Sequence, residues 1–257
     1  MSKRESVGRT VTVAAVLCVV CALVVAAAAV ALRDMQAKNK ALDIKKNILA
    51  AAGLMEDGID VEAVFAERIK VKVVNLPEGT YNEEIDPMTY DPRKAAKDPD
   101  KSVVIDDDIA AIGRRAKHSP VYEVYDGDTL KQVVLPVHGK GLWSTMYGFL
   151  ALEPDTRTVA GLGFYEHGET PGLGGEIENP KWRSTWTGKN VYDKDDVVVI
   201  DILKGMTDAG SPKIDMQVDG LSGATITANG VENMLHYWLS DHAFKAYLQK
   251  VRQRGVS

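Results

Sequence analysis

Apolar and polar positions divide this chain into three regimes. Val11 to Leu32, "VTVAAVLCVVCALVVAAAAVAL", is an unbroken apolar run without a charge. As a helix rising ~1.5 Å per residue it reaches roughly 33 Å, enough for a bilayer core. The apolar stretch of a cleaved signal peptide is shorter, about 7–15 residues, so the run predicts a retained transmembrane anchor over 11–32. Behind it, Ala41, Ile44, Ile48 and Leu49 recur at helical spacing up to Gly53, which predicts a helix continuing out of the membrane.

The second regime alternates. Ile69 to Leu76 ("IKVKVVNL") predicts a strand, and 121–126, 130–139, 158–167 and 197–205 carry similar strand signals. The stretch 214–220, "IDMQVDG", alternates cleanly as well. Residues 77–102 hold Pro77, Pro87, Pro92 and Pro99 with little apolar pattern, so a long loop or insertion is expected there. In the third regime the period switches to that of a helix. Val231, Met234, Leu235, Trp238 and Leu239 form one face, and Phe244, Tyr247, Leu248 and Val251 repeat it in a second, shorter helix. Strands without regular crossover helices predict an α+β fold. The expectation is a single N-terminal transmembrane helix followed by a mixed α/β domain with a mainly antiparallel sheet.

Composition narrows the function classes. Apolar residues at 45% and charged residues at 26% are ordinary for a globular domain, and a net charge of −5 gives no electrostatic case for nucleic acid. The two cysteines, Cys18 and Cys21, both lie in the apolar run and are followed by Ala22 where a c-type haem site needs histidine, so they read as small helix residues. Flanking charge does not orient the span. Lys3, Arg4 and Arg9 precede it, whereas Arg33, Lys38, Lys40, Lys45 and Lys46 follow it.

The candidate chemistry concentrates in "DGLSGATITANGVENML", Asp219 to Leu235, where hydroxyls and glycines crowd the start of the predicted helix. A nucleophile elbow would need glycine where Ala224 stands, and His236 and His242 follow too closely to serve a hydrolase triad. A helix cap would use Thr225 or Thr227. An anion site would use the backbone N–H groups that Gly223 and Ala224 leave bare.

Read whole, "DGLSGATIT" resembles the flavin-transferase recognition sequence Asp-x-x-(Ser/Thr)-Gly-Ala-(Thr/Ser) of proteins that carry FMN covalently, with Asp219, Ser222, Gly223, Ala224 and Thr225 at its positions. "GKGLWSTMYGFLAL" (139–152) and "YEHGETPGLGGEI" (165–177) resemble the same FMN-binding domain family. With the N-terminal span and the long middle insertion, the whole chain resembles the C subunits of Na⁺-translocating NADH:quinone oxidoreductases, with the G subunits of RNF-type ferredoxin:NAD⁺ oxidoreductases as the alternative.

The resemblance implies a phosphoester between FMN and Thr225, made by a Mg-dependent flavin transferase. It implies an electron relay from an iron centre in neighbouring membrane subunits to the flavin of the B subunit, on the way from NADH to ubiquinone. It also implies a cytoplasmic segment 1–10, the inner-membrane anchor 11–32, a helix, strand and insertion over 33–120 packing on the main domain, and a covalent FMN domain over 121–257 on the periplasmic side. A phosphodiester keeps about one negative charge, which a helix N-terminus stabilises. Ser222 offers it a hydroxyl, while Asp219 would repel it and is assigned to turn geometry or to transferase recognition. Leu142, Trp143 and Ser144 are expected to give an apolar face and backbone access to the ring, with Trp143 equally suited to a core. Thr145 is expected to offer a hydrogen bond, Thr170 and Leu173 ring contacts, and Gly174 close approach. His167 reads as a proton donor or an exposed loop residue; Lys140 and Arg183 read as counter-charges or solvated surface residues.

Overall fold

The computed structural model describes residues 7–255 of the chain. Lys3 and Arg4, and most of the expected cytoplasmic segment, lie outside the described residues. The chain divides into two compact units, Met1–Ile44 and Lys45–Ser257. The first is the bulk of a continuous helix, α1 (Val7–Ala51). Its apolar run is exposed along its length, as at Leu23 (65%) and Val25 (68%), and the helix is long and apolar enough to cross a membrane. Gly53 ends it as expected. Gly53 sits at φ +68°, its N–H donates to the Ala50 carbonyl, and the Leu54 N–H reaches back to Leu49 (2.8 Å), the paired bonds of a Schellman stop.

In the second unit, α2 (Val61–Arg68) starts on the Asp60 carboxylate, which accepts the N–H groups of Glu62 and Ala63, and runs straight into β1 (Ile69–Asn75). Then come β2 (Thr80–Tyr81), α3 (Pro92–Lys97), β3 (Ser102–Val104), β4 (Arg114–Ala116) and β5 (His118–Asp126). Strands β6 (Thr129–Lys140), β7 (Thr145–Leu152) and β8 (Val159–Glu166) follow, then α4 (Pro180–Ser184), β9 (Asp201–Ile202), β10 (Gln217–Val218), α5 (Thr225–Trp238) and α6 (Lys245–Gly255). The main sheet is antiparallel throughout, in the order β2-β1-β5-β6-β7-β8. A two-residue turn joins β5 to β6, with Gly127 at φ +58° as so tight a hairpin requires. The α+β class with a mainly antiparallel sheet is what the pattern predicts.

The differences are local. The boundary expected at 120/121 falls inside β5, and β1 pairs with β5 from Ile69 to Asn75. Segment 77–102, expected to be a loop, contains β2, α3 and the start of β3. Asp91 caps α3 and Pro92 occupies its first turn. The strand expected over 197–205 shrinks to β9, which pairs in parallel with β10, and 214–216 is a 3₁₀ turn. Conversely β7 carried no alternation to betray it, because Met146 and Phe149–Leu152 are all buried.

The core lies between the sheet and α5 and α6. Val231, Met234, Leu235 and Trp238 on α5, with Phe244, Tyr247, Leu248 and Val251 on and just before α6, are all buried; each large side chain contributes about 1.5–3 kcal/mol. The last turn of α1 joins the same unit. Ile48 and Leu49 are fully buried, and a Cβ on Gly161 of β8 would lie 2.3 Å from the Ala51 carbonyl oxygen, so only glycine permits that approach. Leu49→Ala is therefore expected to cost the domain about 2–5 kcal/mol. Leu23→Ala, in the exposed run, leaves its unfolding unchanged. Urea unfolding of the detergent-solubilised chain, followed by tryptophan fluorescence, checks both; equal midpoints for the two variants would remove the helix end from the core.

Candidate functional site

The stretch 219–227 is a tightly packed entry into α5. Gly220 must be glycine, because a Cβ would lie 2.0 Å from the Leu203 carbonyl oxygen, and Gly223 takes a positive φ of 72°. Asp219 is spent on this turn. Its carboxylate accepts the Thr207 N–H (2.7 Å) and its carbonyl accepts the Trp182 indole N–H (2.8 Å). Ala224 then occupies the cap position, φ −132° and ψ 37°, with no side-chain cap hydrogen bond. The helix's first bond runs from the Ala228 N–H to the Ala224 carbonyl. The N–H groups of Thr225, Ile226 and Thr227 thus face out of the helix end without an intrahelical acceptor. This corrects the capping expectation, since neither Thr225 nor Thr227 caps. Thr225 is the first helical residue and is exposed.

Thr227 is buried and already engaged. Its hydroxyl donates to Oε2 of Glu169 at 2.6 Å. The same carboxylate accepts three backbone N–H groups, from Leu142 (3.1 Å), Trp143 (3.0 Å) and Ser144 (3.2 Å). Burial would raise this carboxyl, but the Thr227 hydroxyl and the three amides outweigh it and hold its pKa below the usual glutamate range. Two glycines make room for it. A Cβ on Gly141 would lie 2.6 Å from Oε1, and one on Gly174 would lie 2.5 Å from Thr227 Oγ1 and 2.9 Å from Oε2. The close approach that Gly174 permits is therefore to protein atoms. Gly230 completes the fit, with a Cβ position 2.4 Å from the Lys140 carbonyl oxygen, so α5 lies directly against the end of β6.

Glu169 thereby joins three segments: 141–145, 167–174 and the first turn of α5. Ser144 adds a second link between the first two, its hydroxyl accepting the Gly168 N–H at 2.6 Å. Leu173 comes within 3.1 Å of the Cβ position of Gly223, which brings the 170–175 turn beside the start of α5. That turn closes on the Thr170 carbonyl, which accepts Leu173 (3.1 Å) and Gly175 (2.9 Å), and leaves the Thr170 side chain exposed. Around the helix start stand four exposed apolar side chains: Leu142 (44%), Trp143 (66%), Leu173 (45%) and Ile226 (59%). Trp143 is thus no core residue.

Other expected positions lie elsewhere or are otherwise occupied. Thr145 alternates with Met146, whose sulfur packs toward Gly141 on the α5 side, so Thr145 points away and lines a separate cavity. Lys140 Nζ donates to the Trp143 carbonyl (3.2 Å), and Arg183 Nε to the Leu162 carbonyl (2.7 Å). His167 is tucked in: Nδ1 accepts the Glu169 N–H (3.2 Å), and Nε2 lies 3.0 Å from the Glu178 carboxylate. His236 lies roughly 16 Å along α5 from Thr225 and contacts the Ile200 carbonyl (2.7 Å), which leaves Ser222 without a base from it. Sequence reasoning missed Glu169 and Ile226, and it gave Thr227 only as a possible cap rather than as the partner of Glu169. The one signal was a lone acid set among glycines in "HGETPGLGG".

The chain is similar to known proteins over most of its length. An FMN-binding domain family model matches residues 141–240. The C subunit of the Na(+)-translocating NADH-quinone reductase of Pseudomonas aeruginosa is 51% identical, covering 98% of this chain and 99% of that protein. The Yersinia pestis protein of the same name is 44% identical, over 98% of this chain and 96% of its own. Among solved structures, that of Shewanella oneidensis NqrC superposes with a TM-score of 0.77 at 34% identity, covering 82% of this chain and 97% of that one.

The Glu169 link makes a pH-dependent prediction. A depressed carboxyl pKa stabilises the fold at pH above the unfolded value, and that stabilisation is lost as pH falls through the folded value. Glu169→Gln puts an amide N–H₂ where an acceptor is needed and is expected to cost about 1–3 kcal/mol near pH 7. The deficit relative to wild type begins to shrink as pH drops below about 4.3, where the carboxylate of the unfolded chain takes up a proton, and it closes as pH falls through the lower folded value. Thermal melts of both proteins from pH 7 down to pH 3 measure it; a deficit that does not change with pH would exclude an ionised Glu169.

Proposed function

This chain belongs to the C-subunit family of Na(+)-translocating NADH-quinone reductases, and on that premise we propose that it carries one FMN as a phosphoester on Thr225 and passes electrons between partner subunits. It is a membrane-anchored FMN subunit of an oxidoreductase complex. When bound, FMN supplies the electron-transfer chemistry, and the protein supplies its position and surroundings.

The observation that carries the reading is the uncapped start of α5. Thr225 presents an exposed hydroxyl on the first helical residue, beside N–H groups that no side chain satisfies. A helix end of this kind carries roughly +0.5 of a charge, which suits the single negative charge of a phosphodiester. Gly223 and Ala224 keep side-chain bulk away from that point, and Ser222 is exposed beside it. Leu142, Trp143, Leu173 and Ile226 form the apolar surface a flat ring system needs, and Thr170 stands exposed at its edge. Gly174 and Ser144 act at one remove: the first clears space for the Thr227–Glu169 bond, the second ties the two loops together.

Attachment is the work of a Mg-dependent flavin transferase, for which the Asp-x-x-Ser-Gly-Ala-Thr turn, exposed at Ser222, Gly223 and Thr225, is the recognition element. Since the Asp219 side chain is bound to the Thr207 N–H, its part in recognition is to hold the turn in shape. The domain stands on the periplasmic side of the inner membrane, where a dissociated flavin is not readily replaced and a covalent tether removes that hazard. Its partners are the other subunits of the membrane complex, on whose redox centres the relay depends.

Full-length chain co-expressed with a flavin transferase is expected to gain the mass of one FMN less one water and to give a fluorescent band after denaturation. Thr225→Ala abolishes both signals, Thr225→Ser restores them, and Thr227→Ala leaves the attachment in place while lowering stability by about 1 kcal/mol or more. Intact-mass spectrometry decides. A flavinylated Thr225→Ala protein would sink the assignment.

A further inference from the structure

A second recess lies away from the α5 start. It is a cavity of about 620 Å³ between α3, the 111–119 segment, β6, β7 and the end of α5. That volume is in the range that takes small organic ligands. Its aromatic wall is continuous. Tyr147 stacks on His138 (5.4 Å between centroids, 22°), and Trp238 stands 4.9 Å from the same imidazole. Tyr165 adjoins Tyr147 at 6.4 Å.

The charged side chains that line it are all basic. Arg93, Lys97 and Arg114 line the cavity, and among the described residues lining it none is an aspartate or glutamate. Arg93 is neutralised from outside by Glu166, at 3.0 and 2.8 Å, and its guanidinium carbon stands over Tyr147, 3.4 Å from the ring centroid. Arg114 differs, since its Nε and Nη2 both go to Ser102 Oγ (3.1 and 2.8 Å), a neutral acceptor that is itself buried. The hydrogen bonds fix the guanidinium without offsetting its charge. Burial, reinforced by the Arg93 charge, lowers the His138 pKa to about 4, so this imidazole is neutral at pH 7.

The rim is fixed in advance. The Asp108 carboxylate accepts the N–H groups of Ile112 (3.1 Å) and Gly113 (2.5 Å), and the Ala110 carbonyl accepts the Lys140 N–H (2.8 Å). Between them Ala111 is held at φ +52°, a conformation that costs a residue with a Cβ on the order of 1–2 kcal/mol. Such strain persists where the surroundings over-determine it, as at ligand clamps.

We propose that this cavity is a second binding site, specific for a planar aromatic carboxylate whose ring lies against Tyr147 and Trp238 and whose anionic end meets Arg114. A guanidinium is suited to bidentate carboxylate recognition, and offset aromatic contacts take up the body of the ligand. Lys97, exposed at the mouth, adds to the attraction for an anion.

The test uses full-length, flavin-loaded protein in detergent, so that the α5 face is already occupied. Calorimetric titration compares 2-naphthoate with 2-naphthamide, which has the same shape without the charge. The carboxylate is expected to bind about tenfold more tightly, a difference of about 1.4 kcal/mol. Arg114→Met removes that preference, and Ala96→Phe, which fills the cavity from α3, removes binding of both probes. A cavity that binds neither probe, or both equally, overturns the proposal, as does an Arg114→Met protein that keeps the preference. If Arg114→Met does not fold, Lys97→Met and Ala96→Phe carry the test: the first must narrow the preference, the second abolish binding.

Discussion

One buried carboxylate organises the face of this protein that matters. Glu169 accepts four hydrogen bonds, from Leu142, Trp143, Ser144 and Thr227, and so pins two glycine-rich loops to the first turn of α5. Loops of this kind have little apolar surface of their own to bury, and without a shared acceptor their amides would compete for water. An ionised carboxylate is the strongest acceptor a side chain offers, and burial makes its bonds directional and hard to exchange. The glycines at 141 and 174 follow from this constraint, because any Cβ there would occupy the carboxylate's own space.

The state of the α5 start is a consequence. Ala224, at the cap position, has no oxygen to offer, and the nearby Thr227 hydroxyl is committed to Glu169. The helix therefore begins with its amides bare and its charge uncompensated, at the point where Thr225 is exposed. A conventional cap would have gained about 1 kcal/mol of helix stability and closed the site to an anion. The apolar stripe of α5 compensates, since Val231, Met234 and Leu235 are fully buried. Stability comes from the far end of the helix, and the near end keeps its amides free.

The middle segment 77–116 serves a different purpose from the rest of the domain. It supplies α3, β3 and β4 and, through Arg93 and Arg114, puts positive charge beside the aromatic residues of β6, β7 and β8. The prolines of 77–102 suggested a long loop or insertion, yet Asp91, Asp98 and Asp108 give the segment local order. Asp91 caps α3, the Asp98 carbonyl accepts the Ser102 hydroxyl (2.6 Å), and Asp108 closes the 108–113 loop. Pro92 is a helix start there, which pattern reading took for a break.

The amino-acid sequence by itself determined the anchor, the antiparallel α+β domain, the amphipathic α5 and the family. Each rests on a short-range signal: unbroken apolarity, a period of two or of 3.6, or the contiguous motif from Asp219 to Thr225. It also put Thr225 at a helix start. Only the tertiary structure decided that this start is uncapped, that Trp143 faces solvent, that β7 is an interior strand and that Thr145 turns toward another cavity. Those outcomes depend on contacts between residues far apart in the chain, Glu169 with Thr227 above all, 58 positions away. Periodicity reports which face of an element is apolar; it does not report which distant acceptor claims a hydroxyl, and here that choice defines the site.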